Sequence, residues 1–126
     1  MCNHLLFRVS ALITTLLLAF GLVTSAHAQS ANSIALLDDS YATLAQAKHD
    51  YKGHRVRAMK QIELALGEAG GKVSGHGKVH ESQGTSDAQL RAAQGLLREA
   101  SAGLSKKALK HVNDAIGQIN TALSIK

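Results

Sequence analysis

The chain has 126 residues, with 14 Lys and Arg against 9 Asp and Glu for a formal charge of +5, and it has one Cys and neither Trp nor Pro. A chain of this size supports one hydrophobic core, and a single Cys excludes a framework of internal disulfides. So modest a charge favours solubility and anionic partners without marking a nucleic-acid binder, and two Tyr and two Phe are too few aromatics to read a nucleic-acid sequence by stacking.

The first 28 residues, MCNHLLFRVSALITTLLLAFGLVTSAHA, have the layout of a secretory signal peptide. Arg8 and the α-amino group give a positive start, and Val9 to Val23 is apolar and uncharged. Ala26-His27-Ala28 then provides an A-x-A cleavage site. The apolar run is about 15 residues, shorter than the ~20 of a spanning helix. The expectation is therefore a signal peptide over 1–28, export to a periplasm or the exterior, and no transmembrane segment after cleavage. Cys2 leaves with the signal, so the mature chain has no thiol for a disulfide, a metal or a nucleophile.

Residues 29–126 are expected to form one all-α domain. Four stretches carry apolar residues at steps of three and four: Ile34, Leu37, Tyr41, Leu44; then Met59, Ile62, Leu66, Ala69; then Leu90, Ala93, Leu97, Ala100; and last Leu109, Val112, Ile116, Ile119, Leu123. Each is the stripe of an amphipathic helix with one buried face. Nothing alternates with period two, so no strand is expected.

The helix ends carry their own signals. Gly70-Gly71 should stop the second helix. Ser86 with Gln89 reads as a capping box on the third, with Asp87 in its first turn. Gly103 should close the third in the left-handed conformation, and Ser105 should cap the fourth. Residues 70–85, GGKVSGHGKVHESQGT, are Gly-rich without an apolar period and read as a long mobile connection. The expected architecture is an up-down-up-down four-helix bundle, with hairpin one over 32–69, the Gly-rich loop over 70–85 and hairpin two over 86–126.

The two hairpins are related. RAMKQIELALGEA at 57–69 aligns with KALKHVNDAIGQI at 107–119, an offset of 50, whereas Leu36-Leu37 align with Leu96-Leu97 at an offset of 60. Hairpin one thus holds about ten surplus residues at its turn, AQAKHDYKGH, which would make it overhang hairpin two by roughly 7.5 Å. In this topology both hairpin turns share one end of the bundle, where Arg98, Lys106, Lys107 and Lys110 would add to the positive charge of the first turn.

That turn carries the densest chemistry of the chain: His49, Asp50, Tyr51, Lys52, Gly53, His54, Arg55 and Arg57. Part of this is turn chemistry: Gly53 for a positive φ, Asp50 to accept from backbone N–H groups, Tyr51 to cover the apolar end of the bundle. The same residues, with Lys48 and Lys60, make a basic tip suited to an anionic envelope component or an acidic protein surface. The alternative is a transition-metal site through His49, Asp50 and His54. His76-x-x-x-His80 has ligand spacing but lies in the loop, and His111 falls on an outward position of the fourth helix, aligned with Gln61. Met59 and His111 could be matched to a haem axial pair, yet Met59 lies in an apolar stripe where packing is the usual role. There is no G-x-S-x-G, Walker-type loop or C-x-x-C-H, and Asp38 and Asp39 diverge by about 100° on a helix, so neither an enzyme nor a cofactor is expected.

The stretch H-D-Y-K-G-H-R resembles a group of small exported bacterial helical-hairpin proteins of unknown function that carry an H-D-[YF]-x-G-H-[RK] turn. The matching residues are His49, Asp50, Tyr51, Gly53, His54 and Arg55. The likeness covers 34–69 well and the second half loosely. It implies export and helical hairpins, and transfers no catalytic or ligand role.

Overall fold

The structure, a computed structural model, describes residues 29–81 and 84–125. The expected signal peptide at 1–28 lies outside the described residues. Four helices pack together: α1 over 29–46, α2 over His54–Glu68, α3 over Ser86–Ala100 and α4 over Lys106–Ser124. Single 3-10 turns precede α2 at Tyr51–Gly53 and follow α3 at Ser101–Gly103. Among the described residues there is no strand.

Large apolar side chains fill the interior: Leu37 and Leu44, Ile62 and Leu66, Leu90 and Leu97, Val112 and Ile119, all fully buried. Each contributes roughly 1.5–3 kcal/mol relative to exposure. Small residues repeat every seven positions beside them. Ala58 and Ala65 on α2 and Ala108, Ala115 and Ala122 on α4 are wholly buried, as are Ser40, Ala93 and Ala100, while Ser33 and Ala47 are nearly so. Alanine and serine at heptad spacing let two helix backbones approach at the short end of the usual 8–10 Å range. The α2–α4 interface is accordingly far more extensive than that of α3 with α4.

The direction of these pairings overturns the expected topology. His54 Nδ1 lies 2.7 Å from Gln118 Oε1, and His111 Nδ1 lies 2.8 Å from Gln61 Oε1, so α2 and α4 are antiparallel. At one end of α1 the Lys48 and His49 N–H groups donate to Ser86 Oγ. At the other the Gln29 amide donates to the Ala102 carbonyl, so α1 and α3 are antiparallel as well. The bundle runs up, down, down, up. Helices in equivalent positions of the two halves face one another, and an approximate two-fold axis relates the hairpins. Their turns therefore lie at opposite ends. Lys106, Lys107 and Lys110 start α4 far from His49–Arg57, and no single basic end forms.

Because α2 and α3 run the same way, residues 70–85 must climb back along the bundle. The 15 residues of α2 rise ~22 Å, which an extended chain covers in about seven residues, so the connection has slack. It is tied down as a strap rather than left as a free linker. The Asp38 carboxylate accepts from the Ser74 N–H (3.1 Å) and the Ser74 hydroxyl, Asp39 accepts from the Lys78 N–H at 2.7 Å, and Thr43 Oγ1 accepts from the His80 N–H at 3.0 Å. Gly77 lies so close to α1 that a Cβ there would stand 2.5 Å from the Asp38 carbonyl oxygen.

Several local expectations change in detail. Gly70 ends α2 at φ +82° with the Gly71 N–H donating to the Leu66 carbonyl at 2.8 Å, and Ser105 caps α4, both as expected. The cap of α3 is Thr85, one residue before the expected Ser86, which instead accepts from Lys48 and His49 just beyond α1. Gly103 is not left-handed: α3 runs into its 3-10 turn, and Gly103 is needed because a Cβ would collide with Ser33 Oγ and approach Gln29 O at 2.7 Å. Leu109 and Ile116 are only half-buried, because the alanine seam turns Ala108 and Ala115 inward in their place.

Candidate functional site

Of the surplus residues of hairpin one, Ala45 and Gln46 lie in α1 and His54 in α2, and the other seven do not lengthen the helices. They form a connection over 47–53 that folds back on the start of α3, so the tip does not stand proud. Arg55 Nη1 donates to the Leu44 carbonyl at 3.0 Å, beside the Ala47 N–H that the same oxygen accepts, placing a cation at the C-terminus of α1 where it suits the helix dipole. Ser86 Oγ holds the next two N–H groups. Asp50 accepts from the Gly53 N–H at 2.9 Å and closes the turn.

Tyr51, Lys52 and Gly53 have φ of 53°, 54° and 83°, three successive left-handed residues. This costs about 1–2 kcal/mol at each of the two that carry a Cβ. Burial of Tyr51, 3 % exposed, offsets the strain. Its hydroxyl donates to the Asp87 carboxylate in the first turn of α3, and the His49 ring packs edge-on against it at 4.5 Å. Burial and the Asp87 carboxylate push the Tyr51 phenol up to about 12, with Ser86 and Arg91 acting weakly in the opposite direction. Tyr51 therefore covers the end of the core as expected, and it is a structural anchor rather than part of a binding surface.

The predicted site residues separate into three groups. Tyr51, Gly53, Asp50 and Arg55 build the turn; the Nε of Arg55 is buried without a partner. His54 is half-buried and donates from Nδ1 to Gln118 on α4. His49, Lys52 and Arg57 are exposed, as is Lys48. The alternative metal set does not assemble: His49 turns to Tyr51, Asp50 to Gly53 and His54 to Gln118. Among the described residues no three His, Cys, Asp or Glu side chains gather in a way that could hold a metal ion. His111 is bonded to Gln61 and Met59 takes a contact from Arg55, so they form no axial pair.

Arg91, close enough to Tyr51 to influence its titration, joins the exposed cations of this end and escaped notice in the sequence because it lies forty residues away on α3. Only proximity through the antiparallel α1–α3 pairing identifies it. The two carboxylates of the tip, Asp50 and Asp87, are both occupied by internal hydrogen bonds. Lys48, Lys52, Arg57 and Arg91 form no ion pair among the described residues. No helix among them is long and apolar enough to cross a membrane. Set against known proteins, the chain matches no family model, no curated protein and no solved structure.

Proposed function

We propose that this chain is an exported, non-catalytic binding module that presents the end of its bundle around His49–Arg57 to an anionic surface. The N-terminal segment with its A-x-A site supports export, in keeping with the likeness to small exported hairpin proteins. One observation carries the binding reading: Lys48, Lys52, Arg57 and Arg91 are exposed and form no ion pair among the described residues, and Asp50 and Asp87 at the turn are already engaged. Cations left without partners around a rigid turn steer an anionic partner by long-range attraction and lose little freedom on binding. The partner class is an anionic envelope component or an acidic protein surface, with no cofactor involved.

The test is retention of the exported protein on anionic lipid vesicles and on a polyanion resin over a salt series. Lys48→Glu with Lys52→Glu should abolish salt-sensitive retention. Lys106→Glu with Lys107→Glu, at the opposite end, should leave most of it. Equal loss in both pairs, or no retention of the parent protein at low salt, rules the reading out.

A further inference from the structure

A second feature lies on the solvent face of the α2–α4 pair, beside the alanine seam. A shallow groove of about 550 Å³ is lined by Arg57 and Gln61 from α2 and by Asp114, Gly117, Gln118 and Thr121 from α4. Its chemistry is ordered by the two His–Gln pairs. The Oε1 of an amide only accepts, so His54 and His111 each donate from Nδ1, and both glutamine carbonyl oxygens are taken. The amide NH2 groups of Gln61 and Gln118 have no partner among the described residues and are not buried. In this arrangement each amide turns its donor end to the groove.

Arg57 adds a guanidinium to these donors. Asp114 contributes a carboxylate to the same groove, and neither forms an ion pair among the described residues. Opposite charges left apart across one polar groove, with oriented amide donors beside the cation, match a ligand that carries both charges itself. We infer that the groove between α2 and α4 binds a small zwitterion, an α-amino acid or short peptide: its carboxylate at Arg57 and the amide of Gln61 one helical turn further along α2, its ammonium at Asp114. A carboxylate held by a guanidinium and an amide forms charge-assisted hydrogen bonds, the stronger kind. With no aromatic wall and an open face, the affinity is on the order of 1 mM. This goes beyond the reading of the tip and shares only Arg57 with it.

The experiment follows the Gly117 backbone amide and the Gln61 and Gln118 side-chain NH2 resonances of the exported protein while L-alanine, L-alanyl-L-alanine, propionate or ethylamine is added. Saturable shifts with either zwitterion, at least tenfold weaker with propionate and ethylamine, support the site. Arg57→Gln and Asp114→Asn should each weaken binding about tenfold. A Cβ at Gly117 would meet nothing within 4 Å, so Gly117→Leu should fill the groove and abolish the shifts while raising the melting temperature, which separates occlusion from misfolding. Lys48→Glu with Lys52→Glu should leave the shifts intact, so loss of tip binding and loss of groove binding are told apart. Propionate binding as well as alanine, or no saturable shift with any of the four probes, overturns the inference.

Discussion

Gln61 and His111 occupy equivalent positions of the two half-repeats and hydrogen-bond to each other, Nδ1 to Oε1 at 2.8 Å, across the seam of α2 and α4. Two residues related by an internal repeat can meet only if the repeats face each other about a two-fold axis. The second such contact, His54 Nδ1 to Gln118 Oε1 at 2.7 Å, sets that axis across the helices, because in the alternating topology α2 and α4 would be parallel and residues 54 and 118 would stand fourteen positions, ~21 Å, apart.

The pairing is directly testable because residues 29–126 contain no cysteine. His54→Cys with Gln118→Cys should crosslink rapidly under mild oxidation or with a short bis-thiol reagent. Cysteines at 54 and 111, seven residues out of register and ~10 Å apart along the axis, should not. No crosslink between 54 and 118, read by gel mobility of the intact protein, would restore the up-down-up-down arrangement, which sets those positions ~21 Å apart.

The seam tolerates no bulk. Ala115→Leu and Ala65→Leu each insert a branched side chain where two backbones nearly touch, and should cost ~1–3 kcal/mol or more in urea unfolding. Ile119→Ala, a fully buried site, should cost ~2–5 kcal/mol. The half-buried Leu109 and Ile116 should cost clearly less on truncation to Ala.

Glycines divide by what surrounds them. Gly103→Ala would drive a methyl into Ser33 and Gln29, and Gly77→Ala one into the Asp38 carbonyl; both should destabilise. Gly95→Ala and Gly117→Ala meet open space inside helices and should stabilise by roughly 0.5–1 kcal/mol. At Gly53 a Cβ also meets nothing, but φ is +83°, so Gly53→Val should cost about 1–2 kcal/mol through the backbone alone.

The Tyr51–Asp87 bond should show in alkali. The phenol is pushed from 10.0 up to about 12 in the folded protein, so the folded state holds its proton more tightly than the unfolded chain. That contribution is complete below pH ~10 and is lost as pH rises towards 12. Thermal melts should therefore decline across this window. Tyr51→Phe should be less stable at neutral pH yet decline less steeply. A smaller fall should persist, because burial and Glu63 also raise the Tyr41 phenol. An unchanged slope in Tyr51→Phe would mean that the Tyr51 contact is not stabilising.

The helices were legible because a period of three and four is a local property. Leu37, Leu44, Ile62, Leu66, Leu90, Leu97, Val112 and Ile119 all stand out in the sequence, and all are fully buried. The positive φ of Gly53 was legible for the same reason. The tip was legible only as a cluster of residue types. That Arg55 would brace α1, that Tyr51 would be anchored by Asp87, and that Arg91 would join the cations all depend on contacts between distant segments.

By itself the sequence determined four amphipathic helices, their approximate ends and their duplication, since each follows from spacing along one segment. Only the tertiary structure decided which helices pair and in which direction. Either course of the Gly-rich connection is within its reach, so large apolar stripes alone leave the choice open. The small-residue heptads let the α2 and α4 backbones pack closely, and the His54–Gln118 and Gln61–His111 contacts, which together only an antiparallel pair can make, fix the direction.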